Sequence, residues 1–536
     1  MEKTLKKIIA LALVVLMLCS IFTACSSKDD PGSSVSAENS EDTNAERVLG
    51  IGFAQDPSTL DPFSAGSAAR YFILLQVYEK LALMSNTGEL TGVLAKSWTH
   101  EGMSYTVELY DYIKDSEGNP FTADDAVWCL QTQMEMGTNS NLNSIESVEK
   151  VDTYTFKINL TSNLVGVFEA ICVNTFYCTK AAYEASSDKM ASKPIGTGPY
   201  KMDKVEMGTS YSMVVNENYW QKEDLRKMPE QQNSGCDRVN YYIQGEAAQL
   251  IVALETGVVD VIISDSDSTM RFQEGGAAYG QGISVDFLSK AGNSMLFLNC
   301  SNNSPFYQNV ALRKAVLYAV DVPSIIEAAK GGHATVPTSF VAAGKYADMG
   351  TKWVDHDYFT TDVEKAKQYL SEAGYAEGEL TLTLLGQTGS SNMMMYEAIK
   401  GSLAKIGISV EIDVYEGAIY QTSMYDPAAW DLLCDGKGAT DYAASVIRAK
   451  LLNTTTEFGT MGFIQDDHLQ ELVEAAVDVN THSADTVDAV FDYVEEQAYA
   501  MGIMSDMECI AYNSDKIAEY SFNVDTRPAP GAFVLK

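Results

Sequence analysis

Runs of apolar and polar positions divide the chain before any motif is considered. Residues 8–22 are a nearly continuous apolar run that follows Lys3, Lys6 and Lys7. The length suits the apolar part of a secretory signal and falls short of a membrane span. Residues 26–46 reverse the pattern, being rich in Ser, Asp and Glu with Val35 as the sole large apolar side chain. Such a segment cannot bury enough surface to offset its ordering entropy, so a flexible tether is expected. From residue 47 onward the two structural periods alternate. Tyr105, Val107 and Leu109 share one face at period two, as in a half-buried strand. Leu312, Ala315, Val316 and Ala319 fall at i, i+3, i+4 and i+7, one buried helix face. Residues 200–205 and 210–216 read as two strands joined by a turn at Met207-Gly208-Thr209. Residues 71–84, 362–374 and 393–407 read as helices, and 295–299 and 408–413 as strands. The alternation predicts a mixed α/β chain.

Local chemistry sharpens several ends. Thr122 stands three residues before Asp125, a capping-box spacing that also places Asp124 and Asp125 at the positive end of a helix. That accounts for the acidic pair without catalysis. Asp321 reads as a helix N-cap and Gly257 as a helix stop. Gly196 and Gly198, followed by Pro199, predict a tight turn in which glycine supplies positive φ.

Composition narrows the class. The 536 residues carry a formal charge of −36, and 46% are hydrophobic. A chain this acidic lacks the basic face that nucleic acid requires, and it would not bind anionic headgroups directly. The length predicts two or three lobes. Besides Cys19 and Cys25 there are Cys129, Cys172, Cys178, Cys236, Cys300, Cys434 and Cys509, with no CxxC spacing. A disulfide framework or a zinc site is not expected, and buried thiols are. The five histidines, 100, 333, 356, 468 and 482, show no i, i+4 pair, so no metal site and no cofactor are expected. Asp265 and Asp267 begin like a calcium loop, but the pattern fails at Gly276, where glutamate is needed.

Eight ordered segments resemble the peptide/nickel family of extracytoplasmic solute-binding proteins, the receptors that feed ABC importers. Thr23-Ala24-Cys25 resembles a lipobox, with Phe22 where leucine is usual. Leu60-Asp61-Pro62, the stretch from Val77 to Met84, Leu94 to Trp98, and Asp115 to Val127 follow in the family's order. Pro194 to Tyr200 with Asn216 to Trp220, Leu250 to Val261, and Asn303 to Ile326 complete the match. The resemblance implies a periplasmic-binding-protein-like, two-lobed (cluster C) α/β fold with an extra inserted lobe and a ligand cleft between lobes. It implies a signal peptide at 1–24, a lipidated tether at 25–46, a first lobe from 47–75, 193–290 and 505–536, an inserted lobe at 76–192, and a third lobe at 291–504. Cys25 would carry the lipid and hold a monomeric receptor at the outer face of the cell membrane; the alternative is an uncleaved N-terminal anchor.

The implied function is capture of an oligopeptide or dipeptide by lobe closure and delivery to an ABC permease. In the family's peptide receptors an Asp-Tyr pair after a strand holds the ligand ammonium. Asp441-Tyr442 occupies that place, with Trp430 at the strand's start. Asp441, Tyr442 and Trp430 are therefore the expected ligand contacts. The departure is Ala443-Ala444, where the family has an acid and proline. A non-peptide solute on the same fold (a nickel complex, haem, an oligosaccharide or another cation) is the first alternative. A surface-anchored hydrolase is the second, although the chain shows neither HExxH nor GxSxG.

Overall fold

Val48–Phe53, of sequence VLGIGF, is apolar almost throughout and buried from Leu49 onward. It pairs in parallel with Arg238–Ile243 on one side and Val261–Ser264 on the other. A strand buried on both faces and flanked in parallel is the interior of an α/β sheet. The computed structural model describes residues 45–64, 68–85, 88–264, 266–438, 442–453, 461–523 and 525–536. Residues Glu46–Lys536 form one compact unit.

The main sheet runs, edge to edge, Ser409–Tyr415, Thr381–Gln387, Leu432–Gly438, Ile283–Leu298, Ala500–Asn513, Val261–Ser264, Val48–Phe53, Arg238–Ile243, Ser210–Val215 and Tyr200–Glu206. Two large apolar cores lie along it. One gathers Leu49, Ile51, Val107, Phe156, Tyr211 and Tyr241, so residues of the first two expected regions share one cluster. The other gathers Leu296, Val316, Leu384, Ile399, Leu433 and Val490. A separate antiparallel sheet, Ala95–Glu101, Ser104–Leu109, Thr155–Leu160 and Ile145–Lys150 in spatial order, packs into the first.

Sequence-local signals carry through. The Thr122 backbone N–H and hydroxyl both donate to Asp125 Oδ2, at 2.8 and 2.9 Å, at the start of helix Ala123–Met136. Asp321 caps Val322–Lys330 and Asp362 caps Val363–Glu372. Tyr200–Glu206 and Ser210–Val215 form the expected hairpin, with Gly208 at φ 77°.

Two expectations change. The helix expected over 71–84 is Ala68–Val77, and Ala82–Met84 is a strand. The reason is long-range: the Val77 carbonyl accepts the Gly198 N–H at 2.9 Å and is not free to continue the helix. The same contact explains the glycines. Neither Gly196 nor Gly198 adopts positive φ. A Cβ on Gly196 would stand 2.1 Å from Val77 O, and one on Gly198 2.5 Å from Gln76 O. Glycine is required there for backbone-to-backbone approach, not for a left-handed turn.

Candidate functional site

Two strands cross between the cores. Ile283–Leu298 and Ala500–Asn513 pair antiparallel over most of their length. The register runs from Ile283↔Asn513 to Ser289↔Met507 and resumes at Asn293↔Ser505. Lys290, Ala291 and Gly292 thus face Asp506 alone, a bulge that bends a ladder locally. From Ile283 to Gly292 every residue is half-buried, whereas Leu296, Phe297 and Leu298 are fully covered. A strand inside a sheet that is only half-buried along ten residues is the floor of a cleft, and the bulge sits where Leu288 packs on the first core and Ala291 on the second.

On one side of this floor a cavity of about 360 Å³ is lined by Leu288, Ser289 and Ala291, by Lys345 from the second core, and by Tyr520, Phe522 and Thr526 from the C-terminal segment. The Lys345 ammonium donates to the Ser289 carbonyl at 3.3 Å, and Tyr520 donates to Asp286 Oδ2 at 2.5 Å. Behind this wall the Arg527 guanidinium lies 3.8 Å from the Tyr71 ring centroid. Gly438, the last residue of Leu432–Gly438, is the register partner of Gly292. The strand therefore delivers its chain to the bulge itself, and residues 439–441 follow.

The loop that carries Lys345 continues to Asp348, which lines a second cavity of about 510 Å³ with Glu89, Tyr105, Glu169, Tyr442 and His482. Asp348 accepts the backbone N–H groups of Ala443 and Ala444, at 2.8 and 3.0 Å, and so caps helix Ala443–Leu451. Burial raises its carboxyl above the usual range, and the two N–H bonds and His482 oppose the rise. One edge of the cavity is Val165, which belongs to the second core although its neighbours in sequence belong to the first. The Val165 N–H donates to Val477 O at 2.8 Å, and the Arg448 guanidinium donates to Val165 O at 2.7 Å. Leu164 and Asp478 form a β-bridge beside them. This strap ties residues 163–165 across to the second core.

The expected contacts distribute unevenly. Asp441 and Cys25 lie outside the described residues. Tyr442 lines the second cavity, its ring 5.8 Å from that of His482. Trp430 is 2% exposed; its indole N–H donates to Met424 O at 3.2 Å and its ring rests near Phe463. In this structure it fills core. Met395 is core, while Met394 lines a cavity on the crossing strands with His333 and Lys330. The described cysteines are buried free thiols, Cys172 and Cys178 included. Tyr105, Glu169, Asp348, Lys345 and the Val165 strap went unassigned to any site by sequence, because each comes from a different element and no spacing links them.

Comparison with known proteins places this architecture. The description "Bacterial extracellular solute-binding proteins, family 5 Middle" matches residues 89–449, well over half of the chain. The heme-binding protein A of Haemophilus influenzae is 27% identical over 383 residues, covering 65% of this chain and 66% of that protein, just under two thirds of its length. The glutathione-binding protein GsiB of Shigella boydii is 24% identical over 367 residues, covering 66% of this chain and 67% of that protein. The solved structure of HbpA2 from Haemophilus parasuis superimposes with a TM-score of 0.78 at 20% identity, covering 91% of this chain and all of that one. With a two-cored α/β fold joined by crossing strands and a family match over most of its length, the chain belongs to family 5 of the bacterial extracellular solute-binding proteins.

Proposed function

We propose that this protein is a receptor that captures a short peptide outside the cytoplasm, closes its lobes on it, and passes it to the permease of an ABC importer. The observation that supports this reading is the bulge at Lys290–Gly292, at the end of a half-buried stretch, Ile283–Gly292, of the strands that run between the two cores. Two bodies joined by such a bend open and close as units, and the ligand shifts that equilibrium by the contacts it makes only in the closed form. The expected lobes, with 291–504 closing on the rest, are the moving parts. Asp441 takes the ligand's α-ammonium: the strand before it ends at Gly438 opposite Gly292, at the cleft. A carboxylate enclosed with an ammonium forms a charge-assisted bond that is costly to leave unpaired. Cys25 carries the lipid, and residues 26–46 supply a tether whose reach is on the order of 25 Å. The protein acts as a monomer and without covalent chemistry.

The names of the two relatives set the rival solutes, haem and glutathione. Native mass spectrometry of the purified chain separates them. Co-purifying masses in the range of short peptides, lost in Asp441→Asn, are the expected result. A single mass, that of haem, of glutathione or of another non-peptide solute, in place of a distribution of peptides overturns the short-peptide reading and leaves the receptor reading standing.

A further inference from the structure

The second cavity has a feature that the capture of an α-ammonium at Asp441 does not use. Tyr105 is 7% exposed and lines the cavity, and its hydroxyl has no hydrogen-bond partner among the described residues. Its ring is held between two others, 4.4 Å from His100 and 3.9 Å from Phe168, both nearly parallel to it. The ring is therefore fixed in place, and its hydroxyl is presented at the cavity wall, where a ligand can bond it. Around it stand the carboxylates of Glu89, Glu169 and Asp348 and the rings of Tyr442 and His482. None of the described residues lining the cavity is Lys or Arg. Burial, with the nearby Glu169 charge adding to it, pushes the Tyr105 phenol up, so it stays protonated and neutral.

We propose that this cavity is a cation subsite, separate from Asp441, that receives the ammonium or guanidinium head of a basic side chain on the bound peptide. The match is chemical. An N–H-rich cation donates to the Tyr105 oxygen and to carboxylate at once, and aromatic faces attract it further. A bare divalent ion fits less well, because among the described residues no three acidic, His or Cys side chains converge as metal ligands. The volume of about 510 Å³ admits a long side chain. The walls come from both sides of the strap, Tyr105 and Glu169 from the first core's elements and Asp348 and His482 from the second's, so the docked Val165 contact holds the subsite together. The inference rests on the peptide-receptor reading.

The test is isothermal titration of the purified chain with the tripeptide Gly-Lys-Gly and its norleucine counterpart. The expected result is at least tenfold tighter binding of the lysine peptide. Tyr105→Phe and Glu169→Gln should each reduce that ratio to under threefold, while Asp441→Asn weakens both peptides alike. Equal affinities in the unaltered protein, or a ratio that neither variant changes, overturn the subsite and leave the peptide reading intact. If neither tripeptide binds, agmatine decides the subsite by thermal shift, and the peptide reading is left to the mass-spectrometric test. Stabilisation by agmatine that Glu169→Gln abolishes upholds it, and no stabilisation overturns it.

Discussion

Trp220 donates its indole N–H to Glu79 Oε2 at 2.6 Å, and the neighbouring Tyr219 hydroxyl donates to Oε1 at 2.6 Å. Two segments about 140 residues apart in sequence are thus one structural unit. The carboxylate is 6% exposed and both of its oxygens have partners, the condition under which a buried acid is tolerated. Glu79 also fixes the chain just beyond helix Ala68–Val77, where its carbonyl accepts the Tyr177 N–H. The aromatic pair after the hairpin is therefore an anchor for the turn from helix to strand.

Burial raises the Glu79 carboxyl from 4.5 to about 7, against the lowering effect of the Tyr219 and Trp220 bonds. Between those values the folded protein holds a proton that the unfolded chain has released. Stability therefore falls as pH rises from about 4.5 to about 7 and levels off above. At 1.36 kcal/mol per unit the total is on the order of 3 kcal/mol. Glu79→Gln removes the charge and still meets both neighbours, since its amide can donate to the Tyr219 oxygen. Urea midpoints at pH 5, 6, 7 and 8 should show a shallower decline in the variant. Parallel profiles would mean that Glu79 is not the titrating group.

Gly196→Ala tests the close approach. Its new methyl group would fall 2.1 Å from the Val77 carbonyl oxygen, and the atom in the way is backbone, not a side chain that can swing aside. The expected loss is at the upper end of the overpacking range, about 3 kcal/mol. Gly208→Ala, at an open turn with φ 77°, should cost about 1 kcal/mol from backbone strain alone. A reversed order in urea melts would refute the steric account.

How far the fold was legible follows from the range of the forces involved. The Thr122–Asp125 cap, the Asp321 cap and the turn at Gly208 depend on residues a few positions away, and sequence finds them. The end of the helix at Val77 depends on Gly198, and no local pattern carries that. The crossing strand was expected only from 295 to 299, because its first ten residues are half-buried on both faces and show no period of two. That lack of alternation is what a cleft floor looks like in sequence. The Asp441 segment came from resemblance alone. Tyr105 was read correctly as a strand residue facing inward, but what it faces comes from residues 89, 169, 348, 442 and 482.

The cysteines offer a test of burial. All seven described thiols are buried, and burial pushes those of Cys236 and Cys300 up to about 12. Thiolate is the reactive form, so folded protein at pH 8 should not react with an aromatic disulfide reagent at these positions. The unfolded chain should titrate all of them. A thiol that reacts within minutes in the folded state would locate a site of local opening.

The Val165 strap makes the last prediction. Its amide is the one backbone donor of that turn held by the second core, at 2.8 Å from Val477 O, and its side chain is 5% exposed in that core. Arg448 holds the carbonyl of the same residue at 2.7 Å. If the strap is docked in solution, hydrogen exchange over residues 161–168 should be slow, unlike that of an exposed turn such as Gly102. Val165→Ala removes two methyl groups from the core, at about 1–2 kcal/mol by burial. Arg448→Met leaves the Val165 carbonyl without its charged donor, at a cost of about 1–3 kcal/mol. Both variants should speed exchange in that segment by roughly tenfold or more, since about 1.4 kcal/mol of opening energy is a factor of ten. The buried strand residues 432–434 should be unaffected, which separates local release from general destabilisation. Exchange that is already as fast as at Gly102 would show that the strap is not a standing contact and that the second cavity is not a preformed site.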